Sequence, residues 1–156
     1  MNTNNLFWLI LILLLASPVV YIAGRLETRK GKLPGIARWL AVIALAATYI
    51  PLIMAGKTVL NGEAVVYQMN AIRMELDGIA LLFSAVVITL CLLVTIFSTS
   101  YMSGEDNEEK FYALLLAMSG AMVGLVCASD LFNLWVWFEA MAITSYMLVA
   151  FYRKQP

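Results

Sequence analysis

Residues 130–151 read Asp130-Leu-Phe-Asn-Leu-Trp-Val-Trp-Phe-Glu139-Ala-Met-Ala-Ile-Thr-Ser-Tyr146-Met-Leu-Val-Ala-Phe151. From Leu131 to Phe151 there is one charge, Glu139. A helix needs about 20 mainly apolar residues to cross a bilayer, so this run is long enough to span. At about 1.5 Å per residue Glu139 stands roughly 12 Å below the start of the helix, close to the bilayer centre. An apolar helix with an acid in its middle sets the class: an all-α membrane protein.

Working outward, the remaining charges are bunched and separate four more such runs. Spans are expected at about Leu6–Gly24, Ile36–Ala55, Gly78–Ser98, Phe111–Ala128 and Leu131–Phe151, a single membrane domain over residues 1–156. Only Ser129 and Asp130 separate the last two, which predicts an antiparallel hairpin. Pro18 and Pro51 are expected to kink or terminate the first two helices. The first run is not read as a cleaved signal, because Met1-Asn2-Thr3-Asn4-Asn5 has no base and the basic cluster follows the apolar stretch.

Composition agrees. The chain is 63% hydrophobic and 13% charged, against about 45–50% apolar and roughly 25% charged in soluble domains. Ten Lys and Arg balance ten Asp and Glu, which argues against a nucleic-acid partner. With no histidine and only Cys91 and Cys127, there is no nucleophilic triad, no common zinc site and no metal or cofactor set. The composition argues against an enzyme acting alone.

Basic residues gather on the cytoplasmic side of membrane proteins. Arg25, Arg29, Lys30, Lys32, Arg38, Lys110, Arg153 and Lys154 fall on one side of the five spans, and only Lys57 and Arg73 on the other. The count puts the N-terminus outside, the C-terminus in the cytoplasm and the chain in the plasma (inner) membrane as a multi-pass protein. Glu105, Asp106, Glu108 and Glu109 read as charges of the third loop. In the external segment Lys57–Asp77, Asn61-Gly62 between Thr58-Val59-Leu60 and Ala64-Val65-Val66-Tyr67 favours a hairpin turn with positive φ. Alternation then predicts a strand with Ile72, Met74 and Leu76 on one face and Arg73, Glu75 and Asp77 on the other. The expected product is a small external β-element, either a solvated connection or a contact to a neighbouring subunit.

An ionisable residue inside a span is a functional-site hypothesis by default, which singles out Glu139. No Lys, Arg or His stands deep in another span, so Glu139 is either a neutral hydrogen-bonding acid or is paired with a cation from another chain. Trp135, Val136, Ala142 and Ile143 share its helical face, with Phe132 and Tyr146 a turn beyond, and Ala140 and Ala142 are small enough to admit a further helix. Asp130, Asn133, Trp135 and Tyr146 are candidate supporting polar or aromatic residues, with the aromatics also serving as interfacial anchors. Gly120 and Gly124 form a small-xxx-small pair suited to close helix packing, most simply within the hairpin.

These residues carry a resemblance. Asp77-Gly-Ile-Ala-Leu-Leu-Phe83, Tyr101-Met102, Phe111-Tyr112 and above all Asp130-Leu-Phe-Asn-Leu-Trp-Val-Trp-Phe-Glu139 resemble the antiporter-like membrane subunits of respiratory complex I, membrane-bound hydrogenases and Mrp-type sodium/proton antiporters. The Asp130 motif resembles the Mrp D-type and complex I N-type branches, without fixing the branch. The resemblance implies that Glu139 is a proton-relay acid whose cationic partner is a lysine two helices later. Family members add helices that build inverted repeats around a mid-membrane path, and this sequence holds only their N-terminal portion. A split subunit, a truncated accessory subunit and part of a longer protein are all compatible with that extent.

Two expectations of different kinds result. The chain is either a proton or cation translocation subunit of a multisubunit complex, such as a redox-driven NADH-quinone oxidoreductase or a cation/proton antiporter, or a non-transporting structural subunit of a large respiratory or photosynthetic complex. In both it is embedded in the lipid bilayer and works beside other membrane subunits.

Overall fold

The computed structural model describes residues 3–29, 35–69, 72–102 and 107–151. Lys30, Lys32, Glu105, Asp106, Arg153 and Lys154 of the charge count lie outside the described residues. Five helices carry the fold: α1 (Thr3–Arg29), α2 (Ile36–Leu60), α3 (Gly78–Tyr101), α4 (Glu108–Val126) and α5 (Leu131–Phe151). All five are long and apolar enough to cross a membrane. A two-stranded antiparallel hairpin, β1 (Val65–Met69) and β2 (Ile72–Leu76), lies between α2 and α3, as expected.

The helices outrun the apolar stretches. α1 and α2 continue to Arg29 and Leu60, and α4 begins at Glu108 rather than Phe111. Helical backbone hydrogen bonding continues through polar residues beyond an apolar run, so hydrophobicity marks the membrane core and not the helix end. Pro18 and Pro51 lie inside helices that run on past them, so neither terminates its helix.

Asn61-Gly62 is not the hairpin turn. Gly62 does adopt a positive φ of 90°, but there it closes the end of α2: Asn61 and Gly62 donate to the Thr58 and Val59 carbonyls at 3.1 and 3.0 Å. Thr58, Val59 and Leu60 are helical, and the hairpin pairs Val65 with Leu76 and Met69 with Ile72. A glycine with φ > 0 suits a helix C-terminus as well as a turn, so the dipeptide alone does not choose. The predicted alternation in β2 holds for Met74 and Leu76, which are buried, while Ile72 is exposed.

α4 is the hub. It packs against α1, α2, α3 and α5, and it buries Tyr112, Leu116, Ser119, Gly120, Val123 and Gly124 at helical spacing. Where hydrocarbon surrounds the helices, small residues let backbones approach and dispersion does the packing. A Cβ added at Gly124 would overlap the Trp137 indole of α5, whereas one at Gly120 would meet Leu13 and Leu14 of α1 at 3.1–3.3 Å. The pair is therefore split: Gly124 packs inside the α4–α5 hairpin, and Gly120 packs outside it against α1.

The inner faces of α2 and α3 are small and partly polar. α3 buries Ala80, Ser84, Ile88, Cys91, Thr95 and Ser98, and α2 buries Ala37, Ala41, Leu45, Thr48, Leu52 and Ala55. The Thr48 and Thr95 hydroxyls donate to the Leu45 and Cys91 carbonyls of their own helices at 2.6 and 2.7 Å, which offsets the cost of burying them.

Candidate functional site

The start of α5 is built around Asp130 and Asn133. Asp130 Oδ1 accepts the Asn133 backbone N–H at 2.7 Å, an N-cap that satisfies one of the orphan donors of a helix start. The Asn133 side chain is buried and donates its Nδ2 to the Arg73 carbonyl of β2 at 3.0 Å. Ser129 Oγ donates to the same carbonyl at 2.8 Å, and the Glu75 N–H donates to the Cys127 carbonyl at 2.8 Å. The α4–α5 connection thus lies along β2 like a third strand, with Met74 bridged to Ala128. The hairpin is fastened to the helix that carries Glu139.

Two turns further, Glu139 lies on an exposed face of α5. Its helical neighbours Trp135, Val136 and Ile143 are exposed too, as are Phe132 and Tyr146. Phe132 and Trp135 set their rings 6.4 Å apart, and together with Leu131, Leu134 and Phe138 they line an apolar hollow of about 640 Å³. Of α5 only Asn133 is buried. Thr144 and Ser145 donate their hydroxyl protons to the Ala140 and Ala142 carbonyls of the same helix at 2.8 Å. Asp130 and Asn133 stand at the helix start, roughly 9–14 Å along the axis from Glu139 by helical rise, so the structure does not bring them to it. Trp135 and Tyr146 do share its side.

A second cluster of charge was not foreseen. Glu108 and Glu109, read above as loop charges, are buried in the first turn of α4. Arg38 of α2 brings Nε to 3.1 Å from Glu108 Oε1 and donates Nη2 to Oε2 at 3.3 Å, while Nη1 donates to the Thr99 carbonyl of α3 at 3.1 Å. Arg25 of α1 lies 3.6 Å from Glu109. Glu27 of α1 accepts the Gly35 and Ile36 N–H groups at 3.2 and 3.0 Å, which caps α2. Gly24 makes room for the cluster, since a Cβ there would collide with Glu109 Cβ. One end of the bundle is thus joined by carboxylate and guanidinium contacts across four helices. The available signal was Arg38 placed inside the second apolar run and two glutamates abutting the fourth.

Known proteins resemble this chain in sequence and in fold. Residues 69–112 match the family of the N-terminus of NADH-ubiquinone oxidoreductase (complex I) chain 5. With five helices long and apolar enough to cross a membrane, the chain is similar to antiporter-like membrane subunits, and the family matched over residues 69–112 is that of an N-terminal segment.

The A1 subunit of the Na(+)/H(+) antiporter of Staphylococcus aureus is 27% identical over 124 residues, which make up 75% of this chain and 16% of that protein. The same protein of strain JH9 matches to the same extent. Among solved structures, that of the membrane-bound sulfane sulfur reductase (MBS), an archaeal respiratory membrane complex, contains a chain of the same fold, with a TM-score of 0.82 and 23% identity. That match covers 96% of this chain and 31% of the other. The present chain therefore spans about a sixth of the curated relatives it matches. The matched family is named for complex I chain 5 and the curated relatives are antiporter A1 subunits, whereas the Asp130 motif alone resembled the D and N types.

Proposed function

We propose that the chain forms the N-terminal part of a proton- or cation-translocating subunit in a multisubunit membrane complex, with Glu139 as its proton-relay acid. The observation that carries this reading is the position of Glu139. It is the carboxylate near the middle of a spanning helix, and it faces away from the other four helices instead of being used within them. An acid serving only to hold this bundle together would point inward, as Glu108 and Glu109 do. An acid facing outward at mid-membrane is costly unless a neighbouring surface completes its site.

Among the described residues no ion pair reaches Glu139, so the cation that would set its protonation comes from further helices of the same unit or from another subunit. The small Ala142 in the next turn leaves room for that approach. Loop charge supports an outside N-terminus, a cytoplasmic C-terminus and residence in the plasma (inner) membrane. The Arg25–Arg38–Glu108–Glu109 cluster then lies at the cytoplasmic end and the β-hairpin at the outer end.

The test is Glu139→Gln in the assembled complex, read as proton pumping or dissipation of a pH gradient. Loss of transport with normal assembly is expected. Transport at the wild-type rate would refute the relay role.

A further inference from the structure

We infer that the groove between α1, α4 and α5 holds an anionic phospholipid, with its phosphate on Lys110. The groove is lined by Ser17, Pro18, Tyr21, Lys110, Leu114 and Met147 and encloses about 400 Å³. That volume lies within the range of about 300–1,000 Å³ typical of small-ligand clefts. Its walls are apolar apart from a cation and a phenol at one end, which is the polarity of a lipid seen from headgroup to tail.

Charge complementarity argues for an anionic occupant. In the first turn of α4, Glu108 and Glu109 turn inward to Arg38 and Arg25, while Lys110, the next residue, is exposed over the groove. Glu108 and Glu109 are already engaged, so Lys110 faces outward as a positive charge and has no ion pair among the described residues. Arg25 follows Tyr21 by one helical turn on the same face of α1, and its side chain remains 53% exposed beside Glu109. A zwitterionic headgroup would bring its own cation to this positive end, whereas an anionic one brings only the phosphate.

The apolar wall offers a ligand little hydrogen bonding. The Ser17 hydroxyl donates to the Ala113 carbonyl at 2.8 Å, so its proton is occupied and the wall presents carbon. Pro18 has no N–H to offer a ligand. Lys110 has a long apolar stem that can lie along such a wall with its ammonium at the headgroup level. The inference requires only that the α4 start meet a membrane surface, and it is independent of the transport reading.

The experiment is native mass spectrometry of the full chain, delipidated in detergent and offered equal phosphatidylglycerol and phosphatidylcholine. Phosphatidylglycerol should be retained about fivefold over phosphatidylcholine, the preference expected of a single basic contact. Lys110→Gln should bring the two lipids to parity, and Lys110→Arg should keep the preference. Parity in the wild type, or an unchanged preference in Lys110→Gln, overturns the inference. So does a photo-crosslinker at Met147 that captures a polypeptide instead of lipid in native membranes.

Discussion

The Arg38 guanidinium of α2 meets the Glu108 carboxylate of α4 at 3.1 Å, with the glutamate fully shielded and the arginine side chain 18% exposed. A third contact, Arg38 Nη1 to the Thr99 carbonyl, brings in the end of α3. Removing one member of a buried pair strands the other and costs about 3–5 kcal/mol, while removing both together costs far less than the sum. Glu108→Ala and Arg38→Ala should each lower the unfolding midpoint in detergent sharply, and a double-mutant cycle should show strong coupling. Additive effects would mean that the pair does not join these helices.

Gly124 and Trp137 define how α5 is attached. The indole occupies the space that any side chain at position 124 would need. Gly124→Leu should force the hairpin apart and destabilise by about 1–3 kcal/mol, the usual range for overpacking. Adding Trp137→Ala should recover part of that loss. Thermal unfolding of the single and double variants checks this, and a Gly124→Leu protein as stable as wild type would contradict it.

The hairpin's fastening is testable at Asn133. Asn133→Ala removes the donor to the Arg73 carbonyl, which keeps Ser129 as its partner, so a loss of about 1 kcal/mol is expected. The local consequence should be larger than the global one. Hydrogen exchange at Glu75, whose N–H bonds the Cys127 carbonyl, should accelerate in the variant.

Much of this fold was legible because long apolar runs have one good solution in a bilayer, and α5 was readable from its residues alone. What was not legible depends on pairing in three dimensions. Glu108, Glu109, Arg25 and Arg38 look like solvated loop charge in one dimension and become a buried cluster only when α1, α2 and α4 meet. Likewise, the positive φ at Gly62 was anticipated, but whether it served a helix end or a hairpin depended on where α2 stopped. Glu139 stood out as an isolated mid-span acid, yet that it faces outward emerged only from the packing of the other four helices.

Cys127 gives a chemical prediction. The thiol sits at the end of α4, buried beside Ser84, and burial pushes its pKa from 9.0 up to about 12. At pH 8 the thiolate fraction is then about one in ten thousand when folded and about a tenth when unfolded. Alkylation by iodoacetamide should be slow in the native protein and fast in denaturant. The sign for stability follows: the unfolded thiol loses its proton first, so between about pH 9 and 12 this group lowers stability as pH rises. Rapid native labelling of Cys127 would show that the α4–α5 connection opens readily.

Glu139 separates a role in folding from a role in transport. Its carboxylate lies on an exposed face of α5, and the hydroxyls of Thr144 and Ser145 are turned to their own helix. Glu139→Gln keeps size and hydrogen-bonding capacity while abolishing ionisation. For a surface position with no ion pair among the described residues, the stability change of the chain should stay within about 0.5 kcal/mol. If transport in the complex is lost while the unfolding midpoint of the chain is unchanged, the acid acts through its proton. A fall in the midpoint as large as that of Glu108→Ala would instead assign Glu139 a structural role and remove the main support for a relay.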